Sequence, residues 1–408
     1  MHVSLLTGGG DRPYAVGLAT VLIKNGLSLD IIGSDGLDSS DWHNTPGVRF
    51  LNLRGDQKVD ADLAIKVSRI LIYYARLIHY SWSAEPKVFH ILWNNRFESF
   101  DRTLLMLYYK LLRKRVVLTA HNVNKRKRDL TDTLVNRLTL RVQYRLCDHV
   151  FVHTEQMKWD LERDFGLDSS RITVIPFGIN NAVPHSELTS AAAKCRLGIS
   201  EEERVILFFG RIVPYKGLEF LVAAFKKILL KSGNYRLIIA GRPDNDSKKY
   251  CEDIRRLISL DRMHDRVLLK IEFVPDDETE VYFKAADVLA LPYRDIYQSG
   301  VLFLAYSFGL PVVASDVGGL REEVVEGKTG FICRPENPDD LAQTLVSYFE
   351  SELFKGLIDS RNDIQAYARE RYSWDKVSQL TRAVYAQLRG MPLDGEISSM
   401  TSTGTRQR

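Results

Sequence analysis

Short apolar runs alternate along this chain with longer stretches whose apolar positions recur every three or four residues. HVSLLT (2–7) passes through a glycine turn into the helical-period stretch DRPYAVGLATVLIKNG (11–26), and LSLDIIG (27–33) follows. VFHILW (88–93), RVVLTA (115–120), HVFVHT (149–154) and ITVIPFG (172–178) continue the pattern, with helical stretches between them. Apolar runs of this length between helices mark strands buried on both faces, as in a parallel, doubly wound sheet. A polar segment, 179–203, then breaks the pattern, and its start is the expected interdomain linker. The alternation restarts with RVILFFG (204–210), YRLIIAG (235–241), RVLLKI (266–271), DVLALP (287–292) and PVVAS (311–315). The expected fold is α/β, two Rossmann-like domains of nearly equal size, residues 1–180 and 181–371. In open sheets of this kind ligands bind beyond the carboxyl ends of the strands. Two such halves facing each other enclose a cleft suited to a site.

Composition narrows the class. The chain has 408 residues, 45% hydrophobic and 26% charged, enough for two cores and ordinary for a globular protein. Its four cysteines lie far apart with no CxxC pair, which argues against a zinc site or a disulfide framework and fits a reducing cytoplasm. The start, MHVSLLTGGG, lacks a basic leader and a cleavage site, so no signal peptide is expected. The most membrane-like stretch, AIKVSRILIYYARLIHY (64–80), is interrupted by Lys66, Arg69, Arg76 and His79 and is expected to be an amphipathic helix packed in a core. From Gly390 the tail is poor in large apolar residues and rich in Ser, Thr and Gly, so 390–408 is expected to be disordered.

The net charge of +4 is mild but uneven, with thirteen Lys/Arg against four Asp/Glu between Arg96 and Arg145. KLLRKR (110–115) and NKRKRD (124–129) dominate. Such clusters draw anionic lipid headgroups, nucleic acid or phosphorylated substrates, or are a solvated helix end and a polar loop. Nucleic acid is not expected, because no aromatic residues interleave the clusters. The expected surface partner is an anionic membrane, met through Lys110, Arg113, Lys114, Arg115 and residues 125–128.

Three segments carry candidate chemistry. FFGRIVPYKG (208–217) ends a strand at Gly210 and places Arg211 and Lys216 in the following loop. Two cations at a strand's carboxyl end suit a diphosphate, Arg as a fork and Lys as a point charge. YQSGVLFLAYSFG (297–309) offers Ser299 as an N-cap and the free N–H groups of Gly300 and Val301, a phosphate seat at a helix N-terminus. Tyr297 and Gln298 stand beside it. In the first half, Gly8-Gly9-Gly10 opens the first helix, and TAHNV (119–123) sets His121 just past a strand end, where it could donate a hydrogen bond to a substrate hydroxyl.

The blocks FFGRIVPYKGLEFLVAAF, FVPDDETEVYFKAADVLALPY, GLPVVASDVGGLREEVVEGKTGFI and RYSWDKVSQLTRAVYAQL resemble the retaining GT-B glycosyltransferases of family 4, most densely from Val174 to Leu388. The first half matches more loosely, through Gly9-Gly10, LTAHNV and HVFVHTE. The resemblance implies a GT-B fold with a last helix, 372–389, crossing back onto the first domain, where Trp374 and Tyr385 would anchor apolar contacts. It implies a nucleotide-diphosphate-sugar donor held by Arg211, Lys216, Ser299, Gly300, Val301 and Glu322, with Gly9 and Gly10 as the N-terminal glycine loop and His121 at the donor sugar. Aligning Gly309 and Pro311 with the family's G-x-P puts Tyr297 and Leu304 where that family carries two glutamates seven residues apart. The second of those holds the ribose, which Leu304 cannot do.

The expected function is therefore transfer of a sugar to a glycan or lipid-linked acceptor in cell-surface polysaccharide or glycoconjugate synthesis. Retention is expected, with no cofactor and no metal, since no DxD pair stands in a suitable loop. The alternative is a degenerate GT-B protein that binds a nucleotide or a partner without turnover. A nucleotide-sugar epimerase shares the fold but not this arrangement of blocks, and a dehydrogenase lacks its GxGxxG.

Overall fold

The computed structural model describes residues 1–57, 62–124, 126, 131–178, 183, 186–231, 233–260 and 263–391. The chain divides into two compact units, Met1–Gly178 with the segment from Ser373 onward, and Ile179–Tyr372. The expected boundary at 180/181 and most of the expected tail lie outside the described residues.

The N-terminal unit is built on seven parallel strands: β1 (His2–Leu6), β2 (Ser28–Gly33), β3 (Val48–Asn52), β4 (Val88–Ile91), β5 (Arg115–Thr119), β6 (His149–Val152) and β7 (Ile172–Val174). Their order is β3-β2-β1-β4-β5-β6-β7, with Leu5 registered against Ile31 on one side and His90 on the other. The direction of winding therefore reverses between β1 and β4, and that switch point is where such a sheet opens to a ligand. Val3, Leu5, Leu29, Val117 and Phe151 pack with Leu18 and Leu22 of the helix Arg12–Lys24 into one core. The last helix, Trp374–Leu388, adds Val377, Val384 and Tyr385 to that core, and the Tyr385 hydroxyl meets His90 Nδ1 at 2.6 Å.

The second unit has six parallel strands: β8 (Arg204–Phe209), β9 (Tyr235–Ala240), β10 (Val267–Lys270), β11 (Val288–Leu291), β12 (Val312–Ser315) and β13 (Gly330–Cys333). Their order is β10-β9-β8-β11-β12-β13, so the winding reverses between β8 and β11. Ile206, Phe208, Ile239, Leu221, Phe225, Leu345 and Tyr348 form its core.

Two features differ from the reading of the sequence. β3 and β13 were not signalled; both are edge strands, paired on one side only, β3 interrupted by Arg49 and β13 only four residues long behind a polar turn. The helix Leu63–Ser83 does not bury its aliphatic face. It turns inward Tyr73, Tyr74, Leu77 and Tyr80 and leaves Leu63, Val67, Leu71, Ile72 and Trp82 exposed. The reason is polar: the hydroxyls of Tyr73, Tyr74 and Tyr80 find Asn95, Asp101 and Asp30 at 2.6, 2.9 and 2.7 Å. A buried tyrosine with its hydroxyl bonded competes well with a buried leucine. No helix among the described residues is long and apolar enough to cross a membrane.

Candidate functional site

At the switch point of the second sheet the chain leaves β8 through Gly210, whose φ of +100° disfavours any side chain. A Cβ there would stand 3.0 Å from Lys216 Nζ and 3.2 Å from Val301 Cγ2, so the space that glycine keeps open is bounded by two of the expected donor contacts. Lys216 ends the tight turn Pro214–Lys216 and is buried, its ammonium 5.3 Å from the Tyr293 ring. Arg211 is exposed and pairs with Asp244 at 3.2 Å. An exposed pair of this kind contributes about 0–1 kcal/mol, so an anionic ligand can displace the aspartate.

Ser299 occupies the N-cap position of the helix Gly300–Ser307, but its side chain does not cap it. Its hydroxyl lies 3.3 Å from that of Tyr293 instead. This corrects the expected cap and leaves the first-turn N–H groups without a side-chain acceptor from Ser299, as a phosphate seat requires. Gln298 has a solvent-shielded amide nitrogen with no hydrogen-bond partner, a donor waiting for an acceptor, while Tyr297 beside it is half-buried. Leu304 is buried and offers nothing to a ribose. Glu322 is exposed, whereas its neighbour Glu323 is buried against the Tyr372 hydroxyl and Arg371, and burial pushes its carboxyl up.

In the N-terminal unit the glycine loop follows β1. Gly9, at φ +76°, lies against the Arg54 guanidinium, and Gly10 against the Trp93 indole, each too closely for a Cβ. Trp93, just past β4, stacks on His121 at 4.3 Å with the planes 5° apart. His121 Nδ1 meets His153 Nε2 at 3.2 Å, and His153 Nδ1 meets the Ile175 carbonyl at 3.2 Å. A carbonyl only accepts, so the proton of His153 sits on Nδ1 and its Nε2 is bare. Burial lowers the pKa of His153 to about 4 and holds that of His121 well below the usual value, aided by the neighbouring histidines. Both rings are then neutral at pH 7. His121 must donate from Nδ1, which leaves its Nε2, shielded from solvent and without a partner, as an acceptor. In this tautomer the free nitrogen of His121 can accept a hydrogen bond but not donate one, which corrects the expected donor.

The structure also corrects the expected cationic surface. Lys114 is buried and donates to the carbonyl of Pro86 at 2.9 Å. Lys110 and Arg115 flank Asp148 at 2.6 and 3.1 Å. Arg113 stands exposed as expected, Arg126 pairs with Glu98 at 3.4 Å, and Lys125, Lys127 and Arg128 lie outside the described residues. Reasoning from sequence did not single out Trp93, His153, Arg54 or Tyr293. Only His153 had a local signal, since it follows β6 as His121 follows β5.

Residues 203–351 match the family described as glycosyl transferases group 1, and residues 9–183 the family described as glycosyltransferase family 4. An uncharacterized glycosyltransferase of Methanocaldococcus jannaschii is 35% identical over 191 residues, 46% of each chain. A D-inositol 3-phosphate glycosyltransferase of Corynebacterium urealyticum is 26% identical over 97% of this chain and 96% of its own length. With the archaeal protein and the D-inositol 3-phosphate glycosyltransferases of Corynebacterium efficiens and Streptomyces bingchenggensis, the chain spans only about half their length, 46%, 59% and 53%. Among solved structures, sucrose-phosphate synthase from Thermosynechococcus elongatus superposes with a TM-score of 0.75 at 19% identity, over 96% of this chain and 100% of that one. Anabaena HepE in complex with UDP-glucose does so at 0.72 and 16%, over 95% and 99%. At these identities the structural likeness speaks for the fold. Two successive stretches of the chain, 9–183 and 203–351, are thus similar to glycosyltransferase domain families, and the fold that carries them is GT-B.

Proposed function

We propose that the chain transfers a sugar from a nucleoside-diphosphate-sugar, held at the β8/β11 switch point, to an acceptor bound by the N-terminal unit. The observation that carries this reading is the convergence of Gly210, Lys216 and Val301 at the open N-terminus of the helix Gly300–Ser307. The likeness to a protein solved with UDP-glucose supports a donor of that class. As the bond from the anomeric carbon to the diphosphate breaks, charge builds on the leaving phosphate and the sugar becomes oxocarbenium-like. Lys216, Arg211 and the helix N–H groups are positioned to stabilise that charge, and the reading asks for no metal in this role. The acceptor oxygen forms the new bond on the same face, with retention, and its proton passes to the leaving phosphate. His121 accepts from a sugar hydroxyl and orients the ring.

The buried Leu304 favours a second reading, a nucleotide-binding protein without turnover. Nucleotide release from a panel of UDP- and GDP-sugars with membrane extract separates the two. Under the first reading Arg211→Ala lowers kcat about 10²–10³-fold with an unchanged melting temperature, since its pair with Asp244 is exposed. Lys216→Ala lowers it similarly but also costs stability, because the side chain is buried. Tyr297→Phe and Gln298→Ala act more mildly, on the choice of sugar. Wild-type turnover by Arg211→Ala would overturn the phosphate-driven account.

Peripheral contact with an anionic membrane belongs to the same reading, now through the helix Leu63–Ser83, whose exposed Leu71, Ile72 and Trp82 are accompanied by the exposed Arg76. An apolar face with adjacent cations suits the interface of a bilayer. Co-sedimentation with anionic vesicles at low salt should fall in a Leu71→Ser/Trp82→Ser variant. Equal recovery of wild type with neutral and anionic vesicles counts against it.

A further inference from the structure

Arg54, Asp56 and Gln57 after β3, the first turns of the helix Leu63–Ser83 and the loop after β4 line a pocket of about 480 Å³. It lies on the carboxyl edge of the N-terminal sheet, beside Gly9 of the glycine loop. Among the described residues four cations line it, Arg54, Lys66, Arg69 and Arg96, against one carboxylate, Asp56, which is engaged by Arg69 at 2.8 Å. Arg54, Lys66 and Arg96 have no carboxylate partner among the described residues. Nη1 of Arg54 is sealed from solvent with no hydrogen-bond acceptor, and its guanidinium lies 5.2 Å from the Tyr73 ring. A shielded guanidinium N–H without an acceptor is costly, and such groups in native folds call for an explanation.

The stretch that carries Arg96 is fixed in advance. Tyr73 donates to Asn95 Oδ1 at 2.6 Å, and the Asn95 N–H is held by Asp101 at 2.6 Å. Tyr74 donates to the same Asp101 at 2.9 Å and accepts from the Phe97 N–H at 3.0 Å. Arg96 thus projects from a backbone pinned on both sides. Cations on a prearranged frame bind an anion without first paying to order themselves.

We propose that this pocket holds the phosphate of a phosphorylated acceptor, received by Arg54 and Arg96 with Lys66 at the mouth. The inference rests on the transferase reading and names the acceptor class within it. Three unneutralised cations call for roughly two negative charges. A phosphomonoester supplies about −1.5 to −2 at pH 7 on three strong acceptor oxygens. A neutral glycan offers hydroxyl acceptors but no charge to offset the three cations. The chemistry is shared by a polyol phosphate and a lipid phosphate, and the apolar rim of Leu63, Val67 and Phe97 leaves room for either body.

The test uses the full chain saturated with UDP, which fills the phosphate seat of the second unit. Calorimetric titrations compare D-inositol 3-phosphate with inositol, farnesyl phosphate with farnesol, and inorganic phosphate alone. The expected result is a preference of about tenfold or more for at least one phosphorylated member over its alcohol, with the arm that shows it naming the source. Arg54→Gln and Arg96→Gln should each remove about a tenfold share of that preference while leaving UDP affinity unchanged. Lys66→Gln, at an exposed position with no ion pair among the described residues, should show a smaller loss in the same direction. Absence of any phosphate preference, or a preference that survives Arg96→Gln and Lys66→Gln yet vanishes in Arg211→Ala, overturns the proposal. If neither UDP nor GDP binds, the transferase reading fails, and the Arg54 and Arg96 variants still decide the pocket through inorganic phosphate.

Discussion

His121 takes its chemical character from a residue 32 positions away in sequence. The Ile175 carbonyl fixes the tautomer of His153, and His153 fixes that of His121. Nothing in TAHNV discloses this, because a histidine read locally can donate or accept. Nitrogen-detected NMR of the imidazoles should show both rings carrying their proton on Nδ1 at pH 7. The pair should stay neutral until His153 titrates near pH 4. His153→Ala should free His121 to change tautomer, raising the KM for donor while an unrelated structural role would lower only the melting temperature. A proton on Nε2 of His121 in the wild type would refute the relay. The cations of the second unit were legible by contrast, since Arg211 and Lys216 follow a strand end marked by its own apolar run. That Lys216 would be buried and Arg211 exposed was not, because it depends on Tyr293 and Asp244 from other loops.

Between elements, Asp148 binds the loop before β6 to the start of β5. It accepts from Lys110 and Arg115 and from the Val116 N–H at 2.8 Å. Burial alone would raise its pKa, but Lys110, the Val116 N–H and Arg115 outweigh burial and hold it below the ordinary carboxylate value. A folded pKa below the unfolded one means that the contribution is complete above about pH 4 and is lost as pH falls through the folded value. Asp148→Asn should therefore cost about 1.5–3 kcal/mol near neutral pH, and the gap from wild type should close in denaturant titrations at progressively lower pH. A gap that widens on acidification would have the sign wrong. The basic run KLLRKR is thus spent on fastening a helix end to the sheet, which its composition could not distinguish from a free patch.

The molecule holds two cores, and the last helix belongs to the first of them although it follows the second in sequence. Val377, Val384 and Tyr385 are buried there, and Trp374 fills the space left by Gly17 and Gly178. Each large apolar side chain so buried contributes about 1.5–3 kcal/mol, and their sum is comparable to a whole domain's stability of about 5–15 kcal/mol. A chain ending at Tyr372 should lose the N-terminal unit's cooperative melting while still binding UDP or GDP through the second unit. An unchanged N-terminal transition would show that the helix is dispensable.

The fold class was written in the sequence because strands buried on both faces must be continuously apolar, and their alternation with helices admits few topologies. The phosphate seat was legible for the same reason, as glycine, cation and helix start each act within a few residues of a strand end. The edge strand β3 escaped because Arg49 interrupts its apolar run, and β13 because it is only four residues long. Which face of Leu63–Ser83 turns inward, which cations keep a free charge, and which nitrogen of His121 is bare were settled only by the tertiary structure. Each depends on partners tens to hundreds of residues away, and hydrogen-bond satisfaction on burial, unlike hydrophobic periodicity, has no local signature.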